Sequence, residues 1–262
     1  GLHGPCATYD TACSAALVAC HAGQRALQFD ECSTGLAVAA ALMLSPTMGS
    51  AFAVAGMTSA HGRSHTFDMR ADGYTRAEAC AAAVLRQGRG IDLSLHGSAV
   101  RQDGRSASLT APNGLAQQGV LAAALRDAST AADALARMEA HGTGTALGDP
   151  IETGALVAAV VAIRNIEATP LAVCGVKACI GHAEPAAGMT GLLTLALGLR
   201  DGAAAPNAQL RALNPHVGSA LRGMACVLPT QLAATTATAG ACSGGVSSFG
   251  YSGTIAHAVL HR

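Results

Sequence analysis

A chain with almost no aromatic side chains must build its interior from small and branched aliphatic ones. Of 262 residues, four are Phe, three are Tyr and none is Trp, yet half are apolar. Aromatics bring the most buried area per position. Without them, helices and strands must approach closely over Ala, Val, Leu and Gly to reach the density of a protein interior. The length suffices for a sizeable core and allows one large domain or two small ones.

Helical and extended patterns alternate along the chain, which argues a layered α/β architecture. Residues 14–27 are rich in Ala and Leu and read as a buried helix, and the apolar run 35–42 reads as a central strand. Residues 45–73 carry Pro46 and several Gly, the signature of a loop region with short helical pieces. Residues 77–85 fit a strand or a helix equally. Alternation of Ile91, Leu93 and Leu95 predicts a strand over 91–100, followed by a polar loop over 102–114. Residues 115–129 form an amphipathic helix pattern with Val120, Leu121, Ala124 and Leu125 on one side. A short buried strand is expected at 171–176. A small-residue helix at 186–199 carries Gly188 and Gly191, suited to tight helix contact. Residues 241–247 and 254–260 flank a Gly-rich turn and read as a terminal hairpin. The Ala/Thr-rich stretches 131–136 and 232–241 are expected at the surface.

Composition removes several function classes. Lys plus Arg number 16 and Asp plus Glu 16, so no basic field exists to draw nucleic acid. No apolar run reaches membrane-spanning length without polar interruption, and the residues after Gly1 lack a signal-peptide pattern. Nine cysteines, an odd number without a paired framework, point to a reducing compartment such as the cytoplasm. Cys174, Cys179 and His182 suggest a metal site but lack a fourth ligand at short spacing, so a metal-binding module is disfavoured.

The chemistry concentrates in three places. Cys13 stands where loop character ends and the Ala-rich helix begins. A helix N-terminus offers unpaired N–H groups and a positive dipole end, which favour the reactive thiolate. Small neighbours, Ala12, Ser14 and Ala15, leave room for an acyl group. His141 precedes a Gly-Thr-Gly-Thr loop, and His182 follows the 171–176 strand and Lys177. Strand ends are where ligands collect in open α/β sheets. Taken singly, Cys13 reads as a structural core cysteine, each histidine as a loop residue and Lys177 as a surface lysine.

The strings around these residues resemble a β-ketoacyl synthase of the modular polyketide synthase and fatty acid synthase type. They are Asp10-Thr11-Ala12-Cys13-Ser14, the segment from Glu139 through His141, Thr143, Thr145 and Asp149 to Glu152, and Val176-Lys177 with Gly181-His182. Further matching strings begin at Phe67, His96, Leu109 and Val246, so the resemblance covers nearly the whole chain. It implies a thiolase-like α-β-α-β-α fold of two related halves, 1–90 with the nucleophile and 91–262 with both histidines. It also implies decarboxylative condensation of an acyl thioester with a malonyl-type extender through an acyl-Cys13 intermediate. His141 and His182 stabilise the enolate in that scheme, and Lys177 orients the histidine loop. The backbone N–H groups of Cys13 and Phe249 form the oxyanion hole, and Thr143 and Thr145 bind the 4'-phosphopantetheine arm of an acyl carrier protein. Left to themselves, Phe249 reads as a packing aromatic and the two threonines as turn formers. No bound cofactor is implied. A homodimer is, with residues 12–73 contributing to its contact, and so are other domains of a multidomain synthase as partners. The rivals are a non-catalytic ketosynthase-like scaffold or chain-length partner and a degradative thiolase using coenzyme A.

The chain departs from the family pattern in places. Cys179 stands for the usual Asn and Ala178 for Ser or Thr, so a less firmly held His182 loop is expected. Ile255 replaces an Asn, and Ala39 and Ala40 replace paired glycines. Family members also carry a sizeable segment before the cysteine string. A truncated first half is therefore expected, with exposed sheet edges and apolar surface.

Overall fold

A computed structural model describes residues 3–88, 93–106, 108, 111–165, 167–234 and 242–262. In chain order the first elements are α1 (Ala15–Gln28), β1 (Thr34–Ala41), α2 (Pro46–Val54), β2 (Ala79–Arg86) and β3 (Ser94–Gln102). Next come α3 (Gly114–Asp127), β4 (Leu135–Glu139), α4 (Gly148–Ala159), β5 (Leu171–Cys174), α5 (Lys177–Ile180) and α6 (Ala187–Asp201). The last are β6 (Ala203–Ala204), α7 (Pro215–Leu221), β7 (Cys226–Val227), β8 (Ala233–Ala234), β9 (Ser243–Phe249) and β10 (Thr254–His261).

The main sheet has six strands in the order β3-β10-β9-β4-β5-β7. Strands β3, β10 and β9 are antiparallel, whereas β4 runs parallel to both β9 and β5. The terminal hairpin therefore lies in the sheet interior, and every residue of β9 is buried. One face carries α3, α4 and α7. The other carries α1 and α6, whose far side meets the two-stranded sheet of β1 and β2. The order helix, sheet, helix, sheet supplies four of the five thiolase-like layers.

Local signals account for the elements. Helix α3 starts because the Asn113 side chain accepts from the N–H groups of Leu115 and Ala116. It buries Gln117, Val120, Leu121, Ala124 and Leu125, the stripe expected from the sequence. Helix α6 stops at Gly202, which takes the left-handed conformation at φ 63°. Residues 77–85, open between two readings, lie mostly in strand β2. Of the strand expected over 91–100, Ile91 lies outside the described residues. So do Leu109 and Thr110, and 235–241 of the Ala/Thr-rich stretch.

Two expectations are corrected. The run 35–42 is not a central strand: β1 pairs with β2 alone among the described residues. Ala37, Ala39 and Ala41 pack inward, while Leu36 and Val38 face outward and are exposed. A run apolar on both faces looks central in sequence, yet here only one face is covered. The stretch 131–136 is not wholly superficial, because Ala132 and Leu135 enter the core beside Leu125 and Leu171.

The small-residue helix does the job its composition suggests. A Cβ on Gly188 of α6 would lie 2.7 Å from Leu17 Cγ and 3.1 Å from Leu17 N of α1. Gly188→Ala adds helix propensity, about 1 kcal/mol, but forces two backbones apart in a filled core. A net loss of about 1–2 kcal/mol is expected, read as a lower urea midpoint at unchanged m value. An unchanged midpoint would show that α1 and α6 do not meet this closely.

Candidate active site

Cys13 sits one residue before Ser14, the residue that opens α1. Ala12 before it takes a left-handed conformation at φ 54°, unusual for a residue with a Cβ. The cysteine main chain is pinned from the far end of the sequence, where the Ser248 hydroxyl donates to the Cys13 carbonyl at 2.6 Å. The turn after β9 closes over this loop. A Cβ on Gly250 would stand 2.3 Å from the Thr11 carbonyl oxygen, so only glycine permits the approach. That closure brings the Tyr251 N–H, together with the N–H of Cys13 itself, to bear on the sulfur.

His182 Nε2 lies 3.0 Å from Cys13 Sγ. The ring is fully buried and meets the edge of Tyr74 at 4.8 Å between centroids. The backbone around it is held on both sides. His182 N–H donates to the Thr75 carbonyl at 2.7 Å, and Ala77 N–H donates to the His182 carbonyl at 2.9 Å. This corrects the expectation of a loose loop. Cys179 turns away to the Pro206 carbonyl, and the segment around residues 75–77 supplies the anchorage instead. Cys179 and His182 accordingly point to separate partners.

His141 follows β4 and stands 5.7 Å from His182 between ring centroids, nearly perpendicular to it. Its Nδ1 accepts from the Phe249 N–H at 3.2 Å. A neutral imidazole that accepts at Nδ1 carries its proton on Nε2, so His141 presents a donor there. Burial and the nearby Lys177 charge hold both histidines well below the ordinary histidine range. Each therefore stays neutral, with a single N–H.

Lys177 is only 3% exposed, which removes the surface-lysine reading. Three buried carboxyl groups surround the loops here. Glu152 accepts from the N–H groups of His141 and Gly142 at 2.6 and 2.8 Å. Asp149 accepts from Phe67 and Gly144 at 2.8 and 3.1 Å. Glu139 accepts from Val176 at 2.6 Å. Burial pushes Glu139 and Asp149 up to about 7 and lowers Lys177, whose ammonium the charges of Glu139 and Glu152 sustain. All three acids lie in the string that carries His141, but their work as backbone clamps had no signal beyond their place in it.

Two site expectations change in detail. The helix N-terminus does not make Cys13 a resting thiolate. Burial pushes the thiol up to about 11, against the lowering effect of Lys177 and the two N–H groups, and Glu184 raises it further. Desolvation of the charged form outweighs the fixed dipoles. The Phe249 N–H, expected in an oxyanion hole with that of Cys13, instead donates to His141 Nδ1 at 3.2 Å. The Tyr251 N–H is the group of this turn that acts to lower the Cys13 thiol, and Gly250, small enough to let the turn close, was the sequence signal for it. Thr143 and Thr145 lie side by side with hydroxyls 3.3 Å apart. Thr145 Oγ1 also accepts from Gly148 N–H, so turn formation is part of their role.

Fold and site together define a thiolase-like layered protein with a cysteine–histidine–histidine centre. Residues 1–89 match the N-terminal domain of β-ketoacyl synthase and residues 94–211 its C-terminal domain. The chain belongs to the β-ketoacyl synthase family. It is 38% identical over 270 residues to a phenolphthiocerol/phthiocerol polyketide synthase of Mycobacterium tuberculosis, covering all of this chain and 15% of that protein. It is 40% identical over 269 residues to erythronolide synthase EryA3 of Saccharopolyspora erythraea, covering all of this chain and 8% of that protein. Among solved structures, the oxazolomycin ketosynthase domain OzmH KS7 of Streptomyces albus JA3453 superposes with TM-score 0.92 at 32% identity, over 99% of this chain and 46% of that one. The ketosynthase from module 6 of the bacillaene synthase of Bacillus subtilis 168 gives TM-score 0.89 at 31% identity, over 97% and 47%. The chain thus spans under half the length of these solved domains.

The buried acids carry a pH signature. Glu139 titrates near 7 folded against an ordinary value of 4.5, so the folded state holds its proton more tightly. The stability this confers is complete below about 4.5 and is lost as pH rises to about 7. Glu139→Gln keeps an acceptor for Val176 and removes the titration. Its stability is expected to gain on that of the parent protein across this window and to run level above it. Urea midpoints at several pH values measure the difference, and parallel curves would refute it.

Proposed function

We propose that the chain carries the condensing centre of a polyketide-type ketosynthase, joining an acyl group to a malonyl-type extender, both delivered on carrier protein. The observation that carries this reading is the 3.0 Å contact of Cys13 Sγ with His182 Nε2, with His141 at the same centre. The three come from distant parts of the chain and converge at one point.

In the first half-reaction, sulfur attacks the acyl thioester carbonyl. His182 Nε2 takes the thiol proton as the S–C bond forms. The resting thiol, held up to about 11, requires such a base. The N–H groups of Cys13 and Tyr251 stabilise the developing oxyanion. Collapse breaks the bond to the pantetheine sulfur, and the proton on His182 goes to that leaving thiolate. In the second half-reaction, the extender loses carbon dioxide, and the electron pair of the broken C–C bond becomes an enolate. Its oxygen is met by the Nε2–H of His141. The buried Nδ1 of His182 makes no hydrogen bond, so its tautomer can exchange between the half-reactions: with the proton on Nδ1 the ring accepts at Nε2 in the first, and with the proton on Nε2 it donates to the enolate in the second. The enolate carbon attacks the acyl-Cys13 carbonyl and expels the Cys13 thiolate.

Lys177, buried with Glu139 and Glu152, keeps the charge of the histidine loops balanced. Phe249 orients His141 through its N–H. Thr143 and Thr145, beside His141, line the approach of the pantetheine arm. An acyl carrier protein, a second copy of the chain meeting residues 12–73, and neighbouring synthase domains are the partners of this reading. Its two halves are residues 1–90 and 91–262.

Incubation with an acyl thioester of carrier protein is expected to give an acyl adduct by intact mass that Cys13→Ala abolishes. His141→Ala, whose ring does not touch the sulfur, is expected to acylate while carbon dioxide release from malonyl thioester falls about 10²–10³-fold. Normal release from folded His141→Ala would count against the enolate role.

A further inference from the structure

Beside the centre stands an ion pair that the reaction scheme does not use. Arg76 Nε and Nη2 bind Glu184 Oε1 and Oε2 at 2.5 and 2.9 Å, the two-pronged geometry in which guanidinium holds carboxylate best. Both side chains are largely shielded, at 15% and 18% exposure. Glu184 lies two residues beyond His182 and takes a left-handed conformation at φ 45°. Arg76 is aligned with His182 by a main-chain bridge. The guanidinium is capped by the Phe52 ring of α2, 5.3 Å to the centroid, and Phe52 in turn meets Tyr251 edge-on at 6.5 Å. Gly49 of α2 leaves room for it, since a Cβ there would come within 3.3 Å of Nη1.

We propose that Arg76 is a positioning residue of the Cys13 centre, acting through Glu184: by neutralising that carboxylate it keeps an uncompensated negative charge away from the sulfur. The charged and titratable groups that face Cys13 are Lys177 from α5, His182 and Glu184 from the loop before α6, and His141 from the loop after β4. Tyr74 faces it from the segment before β2 and the Tyr251 main chain from the turn before β10, while Arg76 stands behind Glu184. Among them Glu184 is the one carboxylate whose charge opposes the thiolate directly. A shielded carboxylate keeps most of its Coulomb reach, so its partner matters. The two-pronged pair cancels the charge without removing the carboxylate that fastens Arg76 beside the His182 loop.

The proposal rests on the reading of Cys13 as the reactive thiol, but its test needs no acyl transfer. Alkylation of Cys13 by iodoacetamide, followed by mass spectrometry of its peptide across a pH series, reports thiolate availability alone. Arg76→Gln leaves Glu184 unpaired, and its alkylation at pH 8 is expected to slow about threefold to tenfold, with the pH midpoint moved up. Glu184→Gln leaves Arg76 unpaired, and the opposite is expected: faster alkylation and a lower midpoint. The double variant returns to within about twofold of the parent. A clasp that merely holds the His182 loop would slow both single variants alike, so shifts of the same sign, or none in folded protein, overturn the proposal. Should Arg76→Gln fail to fold, Glu184→Gln decides alone: acceleration supports it, and slowing or no change refutes it. Absence of acyl transfer by the parent protein, with these opposed shifts intact in the variants, would instead refute the condensing reading.

Discussion

The close crossing of α1 and α6 is the constraint from which the site follows. Cys13 stands just before α1 and His182 five residues before α6. The helices touch where Gly188 admits Leu17, within two turns of each reactive group. Both lie between the two sheets, so neither can slide without disturbing a core built of Ala, Leu and Met. A larger residue at that crossing would move the sulfur and the imidazole apart, because their separation is set by the distance between two helix axes.

Around that contact the protein places charge sparingly. The sulfur, the His182 imidazole and Lys177 are taken out of water and His141 is half-buried beside them, and each is thereby pushed toward its neutral form. A neutral histidine holds one N–H to donate and one lone pair to accept. Cys13 accordingly rests as a thiol beside the His182 ring nitrogen. The buried acids serve the main chain: Glu152 fixes the His141 loop, Asp149 the Gly144 loop and Glu139 the approach to Lys177. Glu152 and Asp149 give both carboxylate oxygens to backbone N–H groups, which makes their desolvation tolerable, whereas Glu139 gives one to Val176 and keeps Oε2 unpartnered.

Much of the fold was legible. The stripe on α3, the hairpin of β9 and β10 and the glycine pair of α6 follow from periodicity and turn composition, because these signals are local. The misreadings concern what covers a face. Residues 35–42 are apolar on alternate sides whether or not a second layer lies over them, and 131–136 is small-residue chain that could lie outside or, as it does, feed the core. At the site, Cys13, His141, His182 and Lys177 could be named from their strings. That the Phe249 N–H turns to His141 while the Tyr251 N–H acts on the sulfur could not, since two N–H groups two residues apart differ only in where a turn aims them.

By itself the sequence determined the class of architecture, the packing material and the identity of the reactive groups, because these depend on residue type and short-range order. The tertiary structure alone decided which N–H faces the sulfur, which tautomer His141 adopts, and whether Cys13 rests as thiol or thiolate. Those outcomes depend on burial and on contacts between segments more than a hundred residues apart. Desolvation, the largest influence on the thiol, has no value until the layers have closed around it.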